Sequence, residues 1–314
     1  MKKYGFGVDL GGTTVKIGLF EMTGNLVEKW EIPTDKTDNG KNVLDDITKA
    51  ILGKLTERGI SKDEVQGVGI DVPGPVLADG TVVKCVNIGW GIFNVEKTLE
   101  EKCKMPVKAT NDANAAALGE MWKGGGEGHQ DVVMVTLGTG VGGGVIVDGK
   151  IISGSNGAGG EIGHIPVNAN ETEACNCGNC GCLEQYASAT GIARMARKKL
   201  AAVDTPSCLR DIKAEDLTAK DVCDAAKAKD ALGMELLEEL GETLGRALAM
   251  IAAVTNPEVF VIGGGVSKAG EILTETIEKY YTPAAFHACR NAKFALAKLG
   301  NDAGMYGCVK LLMD

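Results

Sequence analysis

Short apolar runs alternate along the chain with stretches of helical spacing, the pattern of strands traded with helices. Residues 4–10 (YGFGVDL) predict a strand, 11–14 (GGTT) a turn, and 15–21 (VKIGLFE) a second strand. Val43, Leu44, Ile47, Ile51 and Leu55 give residues 41–58 a helical stripe. Residues 65–76 (VQGVGIDVPGPV) read as a buried strand ended by a Pro-Gly-Pro turn. A helix at 94–103, a short strand at 106–111 and a helix at 112–123 follow, and GGGEG at 124–128 marks a hinge or boundary. Residues 131–137 (DVVMVTL) open a second half. There VTLGTGVGGGVIV (135–147) repeats VDLGGTTVKIGLF (8–20) as strand, Gly-Thr turn and strand. Such a duplication predicts two similar α/β domains facing one another. Beyond residue 184 the pattern is mostly helical. A long striped helix at 234–255 stops at Asn256-Pro257, a buried strand and glycine turn occupy 259–265, and a last helix covers about 303–313.

Composition narrows the class. A chain of 314 residues accommodates two cores, and 44% hydrophobic with 24% charged residues is globular. A net charge of −9 argues against nucleic acid and anionic membranes as partners. It leaves phosphate ligands open, because backbone N–H groups bind them without net positive charge. No apolar signal core opens the chain and no stretch is long enough to span a bilayer, so the expected location is the cytosol. In that reducing setting the ten cysteines do not form a disulfide framework. Cys175, Cys177, Cys180 and Cys182 crowd together, which favours a metal site.

Three glycine turns are suited to phosphate. In the first, Gly11, Gly12, Thr13 and Thr14 supply backbone and hydroxyl donors, and Asp9 is placed to hold Mg²⁺ through water. The second, Gly138-Thr139-Gly140, opens a G-x-G-x-x-G match, but strand-like residues follow where a dinucleotide fingerprint needs a helix. The third, containing Gly264 and Gly265, follows a strand, precedes a predicted helix and suits a nucleoside. No P-loop motif is present.

Cys175, Cys177 and Cys182 supply three thiolates for a tetrahedral zinc, and either His164 or Cys180 supplies the fourth ligand. Residues 160–188 contain Glu161, Glu171, Glu173 and Glu184 and no Lys or Arg, so a nucleic-acid finger is excluded and the metal is structural. Its task is to hold Glu161, His164 and Glu184 as a lining for a polyol. In TNDANAAALGE (110–120), Asn111 and Asp112 stand at a helix start. Capping explains them; so does a kinase carboxylate that orients a sugar hydroxyl and takes its proton, with Asn111 bonding neighbouring hydroxyls.

These motifs resemble the ROK sugar kinases, and most closely the bacterial ROK glucokinases. The carriers are VDLGGT (8–13), GVGIDVPGPV (67–76), TNDANAAALGE (110–120), VTLGTGVGGGVI (135–146), GAGGEIGH (157–164), CNCGNCGCLEQYAS (175–188) and NPEVFVIGGGVS (256–267). The resemblance implies an actin/hexokinase-like (ribonuclease H-like) α/β fold with an interdomain cleft. The expected domains are 1–119 plus 301–314, and 120–300 with a zinc loop at 164–182. It implies Asp112 as catalytic base and Gly74, Asn111, Asp112, Glu161, His164 and Glu184 at the sugar. It implies His164, Cys175, Cys177 and Cys182 as zinc ligands, with ATP, Mg²⁺ and structural Zn²⁺ as cofactors. The expected reaction is phosphoryl transfer from ATP to the 6-hydroxyl of glucose in the cytoplasm, by a homodimer or homotetramer, with closure of the cleft excluding water. The rivals are a kinase for N-acetylmannosamine, N-acetylglucosamine or fructose, and a non-catalytic sugar-sensing ROK protein. Such sensors carry an N-terminal DNA-binding domain, whereas residue 4 here opens the first strand. Asp71 departs from the family pattern, which has a small or apolar residue there; it either alters the cleft floor or caps a turn.

Overall fold

The computed structural model describes residues 2–313, so residues 1 and 314 of the expected first domain lie outside the described residues. The first elements in chain order are β1 (Tyr4–Leu10), β2 (Thr14–Glu21), β3 (Leu26–Pro33), α1 (Val43–Arg58), β4 (Val65–Val72), the hairpin β5 (Thr81–Val82) and β6 (Phe93–Asn94), α2 (Val95–Cys103), β7 (Val107–Asn111) and α3 (Asp112–Lys123). There follow β8 (Val132–Leu137), β9 (Val141–Val147), β10 (Lys150–Ile151), α4 (Glu184–Ala187), α5 (Ala189–Ala202), α6 (Ala219–Lys227) and α7 (Ala231–Thr255). The last are β11 (Val259–Gly263), α8 (Glu271–Ala284), β12 (Lys293–Leu296) and α9 (Ala303–Lys310).

Two compact units form. The first takes the chain up to Gly128, Gly144–Gly160 and the chain from Leu299 onward. Its sheet has the order β3-β2-β1-β4-β7, with β1–β2 and β2–β3 antiparallel and β1–β4 and β4–β7 parallel. Strand alternation gives the sheet two different faces. Phe6, Val8, Val68 and Ile70 join Ile47 and Ile51 of α1 and Leu99 of α2 in one buried cluster. On the other face β1 and β4 present Gly5, Gly7, Gly67 and Gly69, beside Phe20 of β2, and α9 lies close against it. A Cβ built on Gly7 would stand 2.1 Å from Met305 O, and one on Gly69 1.8 Å from Cys308 O. Only glycine permits an approach that close.

The second unit comprises His129–Gly143 and Glu161–Lys298. Strand β11 lies parallel to both β8 and β12, and the full order of the second sheet is β10-β9-β8-β11-β12. That order repeats the first sheet strand for strand, as the duplicated motif predicts. Helix α7 buries Leu236, Leu240, Leu244, Leu248 and Ile251; Asp230 caps its start by accepting the Leu232 and Gly233 N–H groups, and left-handed Asn256 stops it.

Three local features differ from expectation. The expected elements do not include strands β3, β5, β6 and β12. The glycine turn after β11 does not open directly into a helix: a single 3₁₀ stretch, Gly265–Ala269, and Gly270 at φ 82° precede α8. The first unit also claims Gly144–Gly160, because this segment packs there: a Cβ on Gly144 would stand 2.5 Å from Ala117 Cβ, and Gly157 lies against the Val76 backbone.

Candidate active site

In the first unit the ends of β1, β4 and β7 carry the predicted residues. Asn111 ends β7 with extended backbone (φ −79°, ψ 156°), and its Oδ1 accepts the Asn114 N–H at 2.9 Å. Asn111 is therefore the N-cap, which frees Asp112 from that duty. Asp112 Oδ1 accepts from Asn111 Nδ2 and from the Ala113 N–H, both at 2.9 Å, and the side chain is exposed. The carboxylate is thus oriented from behind by two donors. Val72 pairs with Asn111 in the β4–β7 register, and Gly74 lies two residues beyond, donating its N–H to Val72 O at 2.8 Å.

The first glycine turn joins β1 to β2. Gly11 donates to Thr14 O at 3.1 Å, while Thr34 donates its N–H to Thr13 O and its hydroxyl to Gly11 O. Asp9, just before the turn, is partly exposed and pairs with Lys16 Nζ at 3.2 Å. Lys16 also donates to Asn301 O. Beside Asp9 in the β1–β4 register stands Asp71, fully buried. Burial, then the charges of Asp9 and of Asp112, pushes its carboxyl well above the usual carboxylate range.

In the second unit the turn at 138–140 is tied to α4 and α5. Ala189 donates to Gly138 O at 2.7 Å, Thr190 Oγ1 donates to Thr139 O at 2.7 Å, and Val141 donates to Glu184 Oε2 at 3.0 Å. A Cβ on Gly140 would stand 2.1 Å from Glu184 Oε2, so the glycine leaves room for that carboxylate. Glu184 Oε1 lies 3.6 Å from Cys175 Sγ, so one side chain links the glycine turn to the cysteine loop.

The cysteine loop gathers one ligand atom each from His164, Cys175, Cys177 and Cys182 within 4.8 Å of one another. His164 Nδ1 stands 3.8 Å from Cys175 Sγ, and Cys177 Sγ 3.6 Å from Cys182 Sγ. A tetrahedron with metal–sulfur bonds near 2.3 Å has edges of about 3.8 Å, so the set fits a four-coordinate ion. Cys180 is turned outward, its thiol 3.8 Å from Thr172 O. Burial, with Cys177 and Cys175 adding, pushes the Cys182 thiol up to about 12, and burial raises Cys175 too. The Asn179 backbone N–H, ahead of its cysteine neighbours, lowers Cys177. Three sulfurs held this close become thiolates together only around a cation. His164 Nε2 faces the other way, 4.0 Å from Glu161 Oε2. The loop is clamped by Glu171, which accepts from the Glu173 N–H, Tyr186 Oη and Arg194 Nη2; these donors hold its carboxyl at about 2.

Gly265 lines a cavity of about 370 Å³ with Val266, Thr218, Lys220, Cys223 and Lys227; Gly264, beside it, is exposed. The α6 side of this cavity escaped sequence reasoning. The Thr218–Asp221 capping box signals a helix start there. Its closeness to Gly265, some forty residues later in the chain, has no local signature.

The repeated sheets, each with a glycine turn after its first strand, define an actin/hexokinase-like α/β protein. More narrowly, the chain belongs to the ROK family, whose model matches residues 5–314. It is 46% identical over 304 residues to a glucokinase of Halalkalibacterium halodurans, covering 96% of this chain and 92% of that one. It is 29% identical to a xylose repressor of Caldicellulosiruptor bescii, covering 98% of this chain and 77% of the repressor. A crystal structure of a ROK family glucokinase from Streptomyces griseus, in complex with glucose and AMPPNP, superposes with a TM-score of 0.75 at 33% identity, covering 98% of each chain.

Proposed function

We propose that this chain is an ATP-dependent glucokinase that phosphorylates the 6-hydroxyl of glucose. The observation that carries this reading is an exposed Asp112 carboxylate, oriented by Asn111 and Ala113 and relieved of capping. The 46% identity to a glucokinase and the likeness to a glucose and AMPPNP complex support it. Asp112 orients the hydroxyl and accepts its proton as the new O–P bond forms and the bond to the departing ADP breaks. Positioning outweighs basicity, because proton loss comes late in a loose transition state.

Asn111, Glu161, His164, Glu184 and Gly74 hold the sugar. His164 fits two tasks at once, Nδ1 toward the thiols and Nε2 toward Glu161 and a hydroxyl. Zinc on His164, Cys175, Cys177 and Cys182 is structural and keeps Glu184 and His164 in place. Gly11–Thr14 and Gly138–Gly140 take the phosphates, and the cavity at Gly264 and Gly265 takes the nucleoside. The partly exposed Asp9 would hold Mg²⁺, which would neutralise phosphate charge when bound. Ten cysteines outside any disulfide suit the reducing cytoplasm.

A second hexose (N-acetylmannosamine, N-acetylglucosamine or fructose) is the competing substrate, and sugar sensing without turnover the competing role. A coupled ADP-release assay over glucose, mannose, fructose and the N-acetylhexosamines tests all three. Glucose with the highest kcat/KM is expected. Preference for another hexose reassigns the substrate, and sugar binding without ADP release makes the chain a sensor.

A further inference from the structure

Two strands of the first sheet carry the same pattern on the face covered by α9. On β1 it runs Gly5, Gly7, Asp9, and on β4 it runs Gly67, Gly69, Asp71. The glycines let α9 close on the sheet, and both aspartates fall where that contact ends, side by side in register. Asp9 reaches partial exposure and Lys16; Asp71 does not. Its Oδ1 accepts the Leu10 N–H at 3.2 Å, and its Oδ2 accepts the Cys308 thiol at 3.4 Å. Cys308 Sγ also lies 3.3 Å from Val8 O. A Cβ on Gly304 would stand 2.7 Å from Asp71 Oδ2 and 3.2 Å from the Asp9 carboxyl carbon, so no side chain fits above the pair.

Leu10 is the last residue of β1, and Gly11 begins the turn. Its amide is bonded by a side chain from the neighbouring strand, one residue before the backbone leaves the sheet. A buried amide left without that acceptor loses a hydrogen bond that water cannot replace. Asp71 takes no solvent-exposed position from which to touch a ligand.

We propose that Asp71 is a positioning residue for the phosphate-binding turn: its carboxyl group extends the β1–β4 ladder by one bond and fixes the Leu10–Gly11 backbone, and with it the turn to Thr14. The role needs an acceptor oxygen and no negative charge, so asparagine serves in its place. The charged and titratable groups around it are Asp9 on β1, Lys16 on β2, Asp112 on α3 and Cys308 on α9. The inference rests on the assignment of Gly11–Thr14 to the phosphates of ATP.

Full-length Asp71→Asn and Asp71→Ala are compared with wild type by amide hydrogen exchange at Leu10–Thr14, and by KM for MgATP and for glucose. In Asp71→Ala, exchange at Leu10 and KM for MgATP are expected to rise about tenfold, with KM for glucose unchanged. Asp71→Asn is expected to match wild type in all three. Wild-type exchange at Leu10 in Asp71→Ala overturns the proposal, as does an Asp71→Asn variant whose Leu10 amide exchanges about tenfold faster. If Asp71→Ala does not fold, the asparagine variant alone decides. Faster exchange without a change in KM for MgATP keeps the backbone role and removes the turn from phosphate binding, which separates this failure from that of the kinase reading.

Discussion

Asn111 and Asp112 are adjacent, both are good caps by type, and the structure gives them different work. That division has measurable consequences. Replacing Asn111 by alanine removes the acceptor of the Asn114 N–H, a loss of about 1 kcal/mol for an N-cap. In the first compact unit, of about 160 residues, that lowers the unfolding midpoint by roughly 2–4 °C. It also removes the Nδ2 donor from Asp112 Oδ1, leaving the carboxylate with the Ala113 N–H on that oxygen, and kcat is expected to fall about tenfold. Asp112→Asn leaves the cap intact and loses only the charge at the first turn of α3, about 0.3–1 kcal/mol. Its kcat should fall about a thousandfold, within the range for a proton-accepting group, while glucose still binds. Asn111→Asp tests the two roles in one side chain: aspartate caps as well as asparagine, but it sets a second carboxylate where Asp112 had a donor. Stability should return to wild type and kcat should not. Thermal unfolding and coupled ADP release measure the four proteins. An Asp112→Asn enzyme as unstable as Asn111→Ala, with kcat within about threefold of wild type, would make Asp112 a structural residue and end the mechanism.

Metal analysis of purified protein should give close to one zinc per chain; Cys177→Ser should lose it and Cys180→Ser should keep it, since only the former points its sulfur into the ligand set. Retention by Cys177→Ser would contradict the assignment. The Glu171 clamp predicts a pH dependence. Its carboxyl is held at about 2 in the folded protein against an ordinary 4.5, so its stabilisation is complete above pH 4.5 and lost as pH falls toward 2. Unfolding midpoints of wild type and Glu171→Gln should therefore converge across that window, and parallel curves would show that the clamp contributes nothing.

The repeated strand-turn-strand motif was legible because burial and turn chemistry act on neighbouring residues, and both sheets follow from it. Strand β3 was hidden by its charges: Glu28, Lys29 and Glu31 interrupt its apolar positions, as suits an edge strand. Strand β12 is four residues in an alanine-rich stretch that reads equally well as helix. Cysteine spacing alone could not choose between His164 and Cys180. The choice depends on a loop path in which Ala174 bridges Cys180 while Pro166 bridges Cys182, drawing the 164–166 segment to the thiols. Asn111 and Asp112 have the same ambiguity one residue apart, resolved by the extended backbone of Asn111.

Asp71 is the instructive case, because its pattern was visible and its meaning was not. The spacing of Gly5, Gly7 and Asp9 matches that of Gly67, Gly69 and Asp71, yet nothing in one strand says which residue of the other stands beside it. Register supplies that, and α9, contributed from the far end of the chain, supplies the burial that separates the two carboxyls. One keeps partial access to solvent and a lysine; the other is enclosed with a thiol and a backbone amide. Two aspartates at equivalent strand positions thereby acquire different chemistry, one suited to a hydrated cation and the other to holding a turn. The distinction is imposed by a helix that neither strand encodes.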